Sequence, residues 1–134
     1  MFDIRSTDWR PLSMEAHQNL GTIIGLDSCG KIQVTIRNAD RYPTSIALEV
    51  ILVDTTTRGR PSQSLGRVDI VSHRKWKPDD RPRPIRETLN FPIPSNSAIR
   101  RFDEVTILFR LDGYRARATA EIGIDHFTLV PRGL

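Results

Sequence analysis

Apolar and polar residues alternate through Lys31-Ile32-Gln33-Val34-Thr35-Ile36-Arg37, the two-residue period of a strand buried on one face. Ile46 to Val53 is apolar except at Glu49, which predicts a strand covered on both faces near the centre of a sheet. Leu65 to Val71 reads as a third strand. Leu89, Phe91 and Ile93 alternate too, but Pro92 and Pro94 have no N–H for a ladder, so this strand belongs at an edge or ends early. Val105, Ile107, Phe109 and Leu111 alternate most cleanly of all.

Asp112-Gly113 follows as a hairpin signal, with a return strand presenting Ala118, Ala120, Ile122 and Ile124 on one face. The apolar set then changes parity to Phe127 and Leu129, which requires a bulge near Asp125-His126. No helix-period stripe of normal length occurs. Ser13 to Leu20 predicts one or two helical turns capped by Ser13, and Ser97 to Phe102 predicts one more. About seven strands separated by turn signals describe one all-β domain over residues 1–134, an antiparallel β-sandwich. Residue choice agrees: Ile, Val and Thr total 32, against 20 for Ala, Leu and Met.

Phe102-Asp103-Glu104-Val105-Thr106-Ile107-Leu108-Phe109-Arg110, the Gly-containing turn, and Ile122-Gly123-Ile124-Asp125-His126-Phe127-Thr128-Leu129 together resemble the last two strands of jelly-roll modules of the galactose-binding-like and carbohydrate-binding type. The resemblance covers about a quarter of the chain closely and the rest by strand rhythm. It implies a jelly-roll sandwich acting as a non-catalytic module of a larger protein or assembly, with carbohydrate as the ligand class. It also implies a structural calcium between Asp3 and Asp125. Calcium wants six to eight oxygen ligands, and the reading that outweighs it has Asp125 stabilise the bulge or accept hydrogen bonds from its neighbours.

Sugar sites stack aromatic faces against the ring. The candidates are Trp9, Tyr42, Trp76 and Tyr114. Trp9 and Tyr42 more readily cover sheet edges or plug the sandwich ends. Trp76, within Arg74-Lys75-Trp76-Lys77, is balanced between partner contact and a plain surface role.

Charge is uneven. The chain carries +4 overall, yet Arg58 to Arg86 holds nine basic and three acidic residues, so this segment is +6 and the remainder −2. Arg74, Lys75, Lys77, Arg81, Arg83 and Arg86 form its basic patch, much of it in the loop His73 to Pro84. The reading that outweighs the others is a solvated loop whose charges Asp79 and Asp80 partly offset; a functional patch would suit an acidic protein partner or assembly contact, anionic lipid, or the phosphates of a polyanion. No nucleic-acid motif accompanies it, so nucleic acid is not the favoured partner.

The chemistry of catalysis is thinly represented. His17, His73 and His126 lack metal spacing, no nucleophile elbow or phosphate loop occurs, and Asp103 and Glu104 should point to opposite faces of their strand. Cys29, the single cysteine, excludes an internal disulfide and sits in Asp27-Ser28-Cys29-Gly30, which reads as a tight turn. No cofactor other than the implied calcium is called for.

No apolar run approaches the ~20 residues of a membrane-spanning helix. Met1 to Arg5 shows neither a basic n-region nor an apolar h-region. As written the chain reads as cytoplasmic; within a longer parent, export or an envelope location stays open. Leu129-Val130-Pro131-Arg132-Gly133 matches a thrombin-cleavage linker, but Leu134 replaces the expected Ser and Leu129-Val130 continue the strand pattern, which favours a native reading.

Overall fold

A computed structural model describes residues 4–5, 12–38, 46–70, 85–111, 119–120 and 122–132. They form an all-β sandwich of two antiparallel sheets. The strands are β1 (Ile4–Arg5), β2 (Leu12–Gly25), β3 (Cys29–Asn38), β4 (Ile46–Val53), β5 (Ser62–Ile70), β6 (Ile85–Pro92), β7 (Arg101–Leu111), β8 (Thr119–Ala120) and β9 (Ile122–Pro131), with a 3₁₀ turn at Leu26–Ser28. One sheet has the order β2-β7-β4-β5, the other β6-β3-β9, and β1 pairs with β8 in a small ribbon. Among the seven long strands, every connection crosses from one sheet to the other except β4 to β5. That alternation is the path of a jelly roll.

The core follows from the two-residue period. Ile32, Val34 and Ile36 of β3 and Ile46, Leu48, Val50 and Leu52 of β4 are fully buried, and Phe91, Phe102, Val105, Ile107 and Phe109 complete the interior. β4 lies between β7 and β5, as its composition predicts. Its outward residues Ala47, Glu49, Ile51 and Val53 are half-buried, with the Glu49 carboxylate accepting from Ser64 Oγ at 2.6 Å. β6, with Pro92, is an edge strand.

Four expectations change. Ser13 to Leu20 is strand, not helix: Ser13 to Asn19 pair continuously with β7, from Arg110 to Glu104. Eight residues are too few for a helix to stand alone, whereas a long partner strand meets all their backbone groups on one side. Ser97 to Arg100 bends irregularly into β7, which already includes Arg101 and Phe102. Cys29 starts β3 and is 2 % exposed, so it is a core residue and not a turn residue. The pairing expected from Asp112-Gly113 is not made, although those two residues lie outside the described ones. Both edges of β7 are taken by β2 and β4, so the returning chain has no edge to occupy there and crosses to the other sheet, where β9 joins β3.

The parity change produces the expected bulge. Ile36 faces Ile124 and Thr35 faces His126, leaving Asp125 as the extra residue. Ile124, Phe127 and Leu129 therefore all pack against the core. Leu129 to Pro131 of the C-terminal run are part of the sheet: Cys29 faces Pro131, the Arg132 N–H donates to Ser28 O at 3.0 Å, and its Nη2 lies 3.4 Å from both Leu26 O and Cys29 O.

Candidate functional site

Among the described residues the sandwich is open along one side. β2 and β9 are each the last strand of a sheet, and between them lies a cleft of about 460 Å³. Leu20, Val105, Ile107, Ile124 and Phe127 give it an apolar lining, which exists because the Asp125 bulge turns Phe127 inward. Gln18, Asn19 and His126, all exposed, supply polar groups at its rim. A second bulge shapes the β2 side. Between Asn19 and Ile24 the register slips, Gly21 takes φ +73°, and Asn19 Oδ1 accepts the Gly21 N–H at 2.8 Å.

Asp125 and His126 line the cleft and also belong to the outer face of the three-stranded sheet. Cross-strand rows on that face are polar. Asn90, Gln33 and Thr128 form one row, with Gln33 Nε2 donating to Asn90 Oδ1 at 3.0 Å. Thr88, Thr35 and His126 form the next, with the two threonine hydroxyls 3.3 Å apart. In the third row Arg37 stands directly opposite Arg86, and Asp125 joins them: Arg37 Nη2 is 3.1 Å from Oδ1 and Arg86 Nη2 is 3.6 Å from Oδ2. His126 Nδ1 lies 3.3 Å from Asp125 Oδ2. Desolvation raises the Asp125 pKa, but Arg37, Arg86 and His126 outweigh it and hold the carboxyl below its ordinary value.

The opposite sheet carries a different cluster on its outer face. His17 Nδ1 is 2.8 Å from Thr106 Oγ1 and 3.9 Å from Glu104 Oε2, and Nε2 is 3.2 Å from Glu15 Oε2. Hydroxyl, imidazole and carboxylate in this order are the parts of an activated nucleophile. Thr106 is 5 % exposed, however, so it is almost closed to solvent. The cluster knits β2 to β7.

Two buried aspartates hold the β4–β5 connection. Asp54 accepts the Thr56 N–H at 3.0 Å, the Thr56 and Thr57 hydroxyls at 2.5 Å each, and Arg101 Nε at 3.3 Å. Asp103 accepts the Thr55 N–H at 2.8 Å and the Thr55 hydroxyl. Threonine hydrogen bonds depress both carboxyls, that of Asp54 strongly. As expected, Asp103 and Glu104 point to opposite faces, one toward Thr55 and the other toward His17.

Of the residues singled out in the sequence, Arg86 and Asp125 are brought together. Trp9, Tyr42, Trp76, Tyr114, Asp3, Arg74, Lys75, Lys77, Arg81 and Arg83 lie outside the described residues. Among the described residues no group of three or more His, Cys, Asp or Glu is placed to hold a metal. Asp125 accepts from Arg37 and His126 at the bulge. Sequence reasoning missed Arg37, Gln18, Asn19 and Phe127 as site residues. Arg37 had a signal, being the polar end of an otherwise regular strand, but its meeting with Arg86 depends on a pairing 49 positions away.

No family model, curated protein or solved structure matches the chain. Among the described residues no helix is long and apolar enough to cross a membrane.

Proposed function

We propose that the protein is a non-catalytic binding module that takes a carbohydrate unit in the cleft between β2 and β9. The observation that carries this reading is the cleft itself: an apolar lining that includes the partly exposed ring of Phe127, beside amide and imidazole groups at the rim. Sugars need both kinds of surface, a flat apolar one for the C–H face and donors and acceptors for the hydroxyls. The resemblance of the last two strands to carbohydrate-binding jelly rolls points the same way.

The test is a glycan array followed by titration calorimetry on any hit. Gln18→Ala should weaken binding about tenfold with an unchanged urea midpoint, because Gln18 is exposed and outside the core. Binding that Gln18→Ala and Phe127→Leu both leave untouched overturns the cleft as the site.

A second reading is favoured by a separate observation. β2 and β9 are both sheet edges, so an extended segment of a partner protein has backbone to pair with on either side of the cleft. This is the interaction-domain reading, and capture of extended peptides with no glycan binding would select it.

A further inference from the structure

We infer that Arg37 and Arg86 form an anion-reading subsite beside the cleft, so that the carbohydrate taken by this module carries an oxyanion, a carboxylate or a sulfate. The inference rests on the carbohydrate reading above and names the class of sugar. Two arginines directly opposite each other across an antiparallel pair repel and weaken the pairing. Here they are kept together by a carboxylate that projects from a bulge, itself a departure from regular strand pairing. Local rules broken twice at one spot, with the groups still exposed, mark a place shaped for binding.

Among the described residues the stoichiometry leaves capacity for a ligand. Two guanidiniums offer roughly ten N–H donors, and one ionised carboxylate accepts at about four sites. Arg37 Nε is buried with no hydrogen-bond partner, so the carboxylate does not saturate even the arginine nearest to it. Glu87, the next residue of β6, occupies the alternate pleat position opposite Ile36. Exposure sets the approach: the Asp125 side chain is 20 % exposed, Arg37 36 % and Arg86 62 %, so an incoming anion meets the guanidiniums before the carboxylate. Planar forks suit carboxylate and sulfate oxygens in pairs, which a lysine cannot imitate. The neighbouring Thr88–Thr35–His126 and Asn90–Gln33–Thr128 rows continue the face with neutral groups for hydroxyls.

The experiment compares a neutral polysaccharide, a uronate-containing one, a sulfated one and single-stranded DNA, each against the full chain at fixed ionic strength. The expected result is binding of the uronate or sulfated glycan at least tenfold tighter than the neutral one, the two acidic arms telling carboxylate from sulfate. Arg86→Gln should lose about tenfold on the acidic glycan and far less on the neutral one. Arg37→Lys should lose nearly as much although the charge is kept. Asp125→Asn, which removes the competing carboxylate, should gain several-fold. A urea midpoint for each variant separates binding from folding. Neutral glycans bound as tightly as acidic ones, with Arg86→Gln silent, would overturn the subsite and leave the carbohydrate reading standing. No glycan bound in any arm overturns both. DNA bound as tightly as the acidic glycan, with the same loss on Arg86→Gln, also overturns it in favour of a general polyanion surface.

Discussion

Deleting Asp125 should be tolerated, although it lies within a ten-residue strand. In most strands a one-residue deletion moves every later side chain to the other face. Here Ile124 faces Ile36, Phe127 faces Val34, and Asp125 is the residue with no partner on β3. Removing it leaves Ile124, His126 and Phe127 in perfect in–out–in alternation, so Phe127 and Leu129 keep their places against the core. Deleting Thr128 does the opposite. Leu129 moves to the outer face, the smaller Val130 takes its inward position, and Pro131, which has no N–H, arrives opposite Lys31. The lost methylene with its void and the disturbed pairing together cost about 2 kcal/mol.

At a urea dependence of about 2 kcal/mol/M for a domain of this size, that is a midpoint lower by about 1 M. Equilibrium urea unfolding followed by far-ultraviolet circular dichroism reads it. The deletion of Asp125 should match Asp125→Ala, since both remove the carboxylate and only one removes the bulge. If the Asp125 deletion falls as far as the Thr128 deletion, the bulge is not the device that sets the parity of β9.

Three further outcomes follow from the geometry. Asp54 has its pKa held low in the folded state, so it contributes stability that is present above about pH 4 and lost as pH falls below that value; Asp54→Asn should lower the urea midpoint at pH 7 and flatten its decline between pH 4 and 2. A Cβ on Gly30 would lie 3.1 Å from Arg132 Cα and 3.4 Å from Pro131 O, so Gly30→Ala should cost about 1–3 kcal/mol in thermal unfolding, because backbone on both strands must separate. Burial raises the Cys29 thiol pKa, so a thiol reagent at pH 8 should react with it slowly in the native protein and at the rate of an ordinary cysteine in 6 M guanidinium, about pKa 8.5 being its unperturbed value.

The inward faces of β3, β4 and β7 were legible because period-two alternation is a local property, fixed by each strand's own covered face. The Asp125 bulge was legible for the same reason, since a change of parity is written into Ile124 and Phe127 themselves. Pro92 likewise marked β6 as an edge. β2 was hidden because Gln18 interrupts the inward series Ala16, Gln18, Leu20 and because its partner β7 starts 76 positions after β2 ends. The destination of the chain after Leu111 was misread for a related reason: a turn signal reports that the chain bends, not which sheet has an edge to receive it. The Arg37–Arg86–Asp125 row needed three strands in register, and nothing local announces such a meeting.

The sheet-crossing path has a consequence for how the molecule comes into being. β4 and β5, tied by the Asp54 turn, are the sole pair among the described strands that neighbour each other in both sequence and sheet. β2 waits for β7, and β3 waits for β6 and then β9. A chain emerging from the ribosome can therefore close its first hairpin at β4–β5, but the four-stranded sheet is incomplete until β7 is available and the three-stranded sheet until β9 is. Topologies of this kind fold over roughly milliseconds to seconds. Until β9 arrives, the edge of β3 that β9 takes has only the surroundings to pair with, so chaperone occupancy and aggregation should peak for nascent chains that stop short of β9.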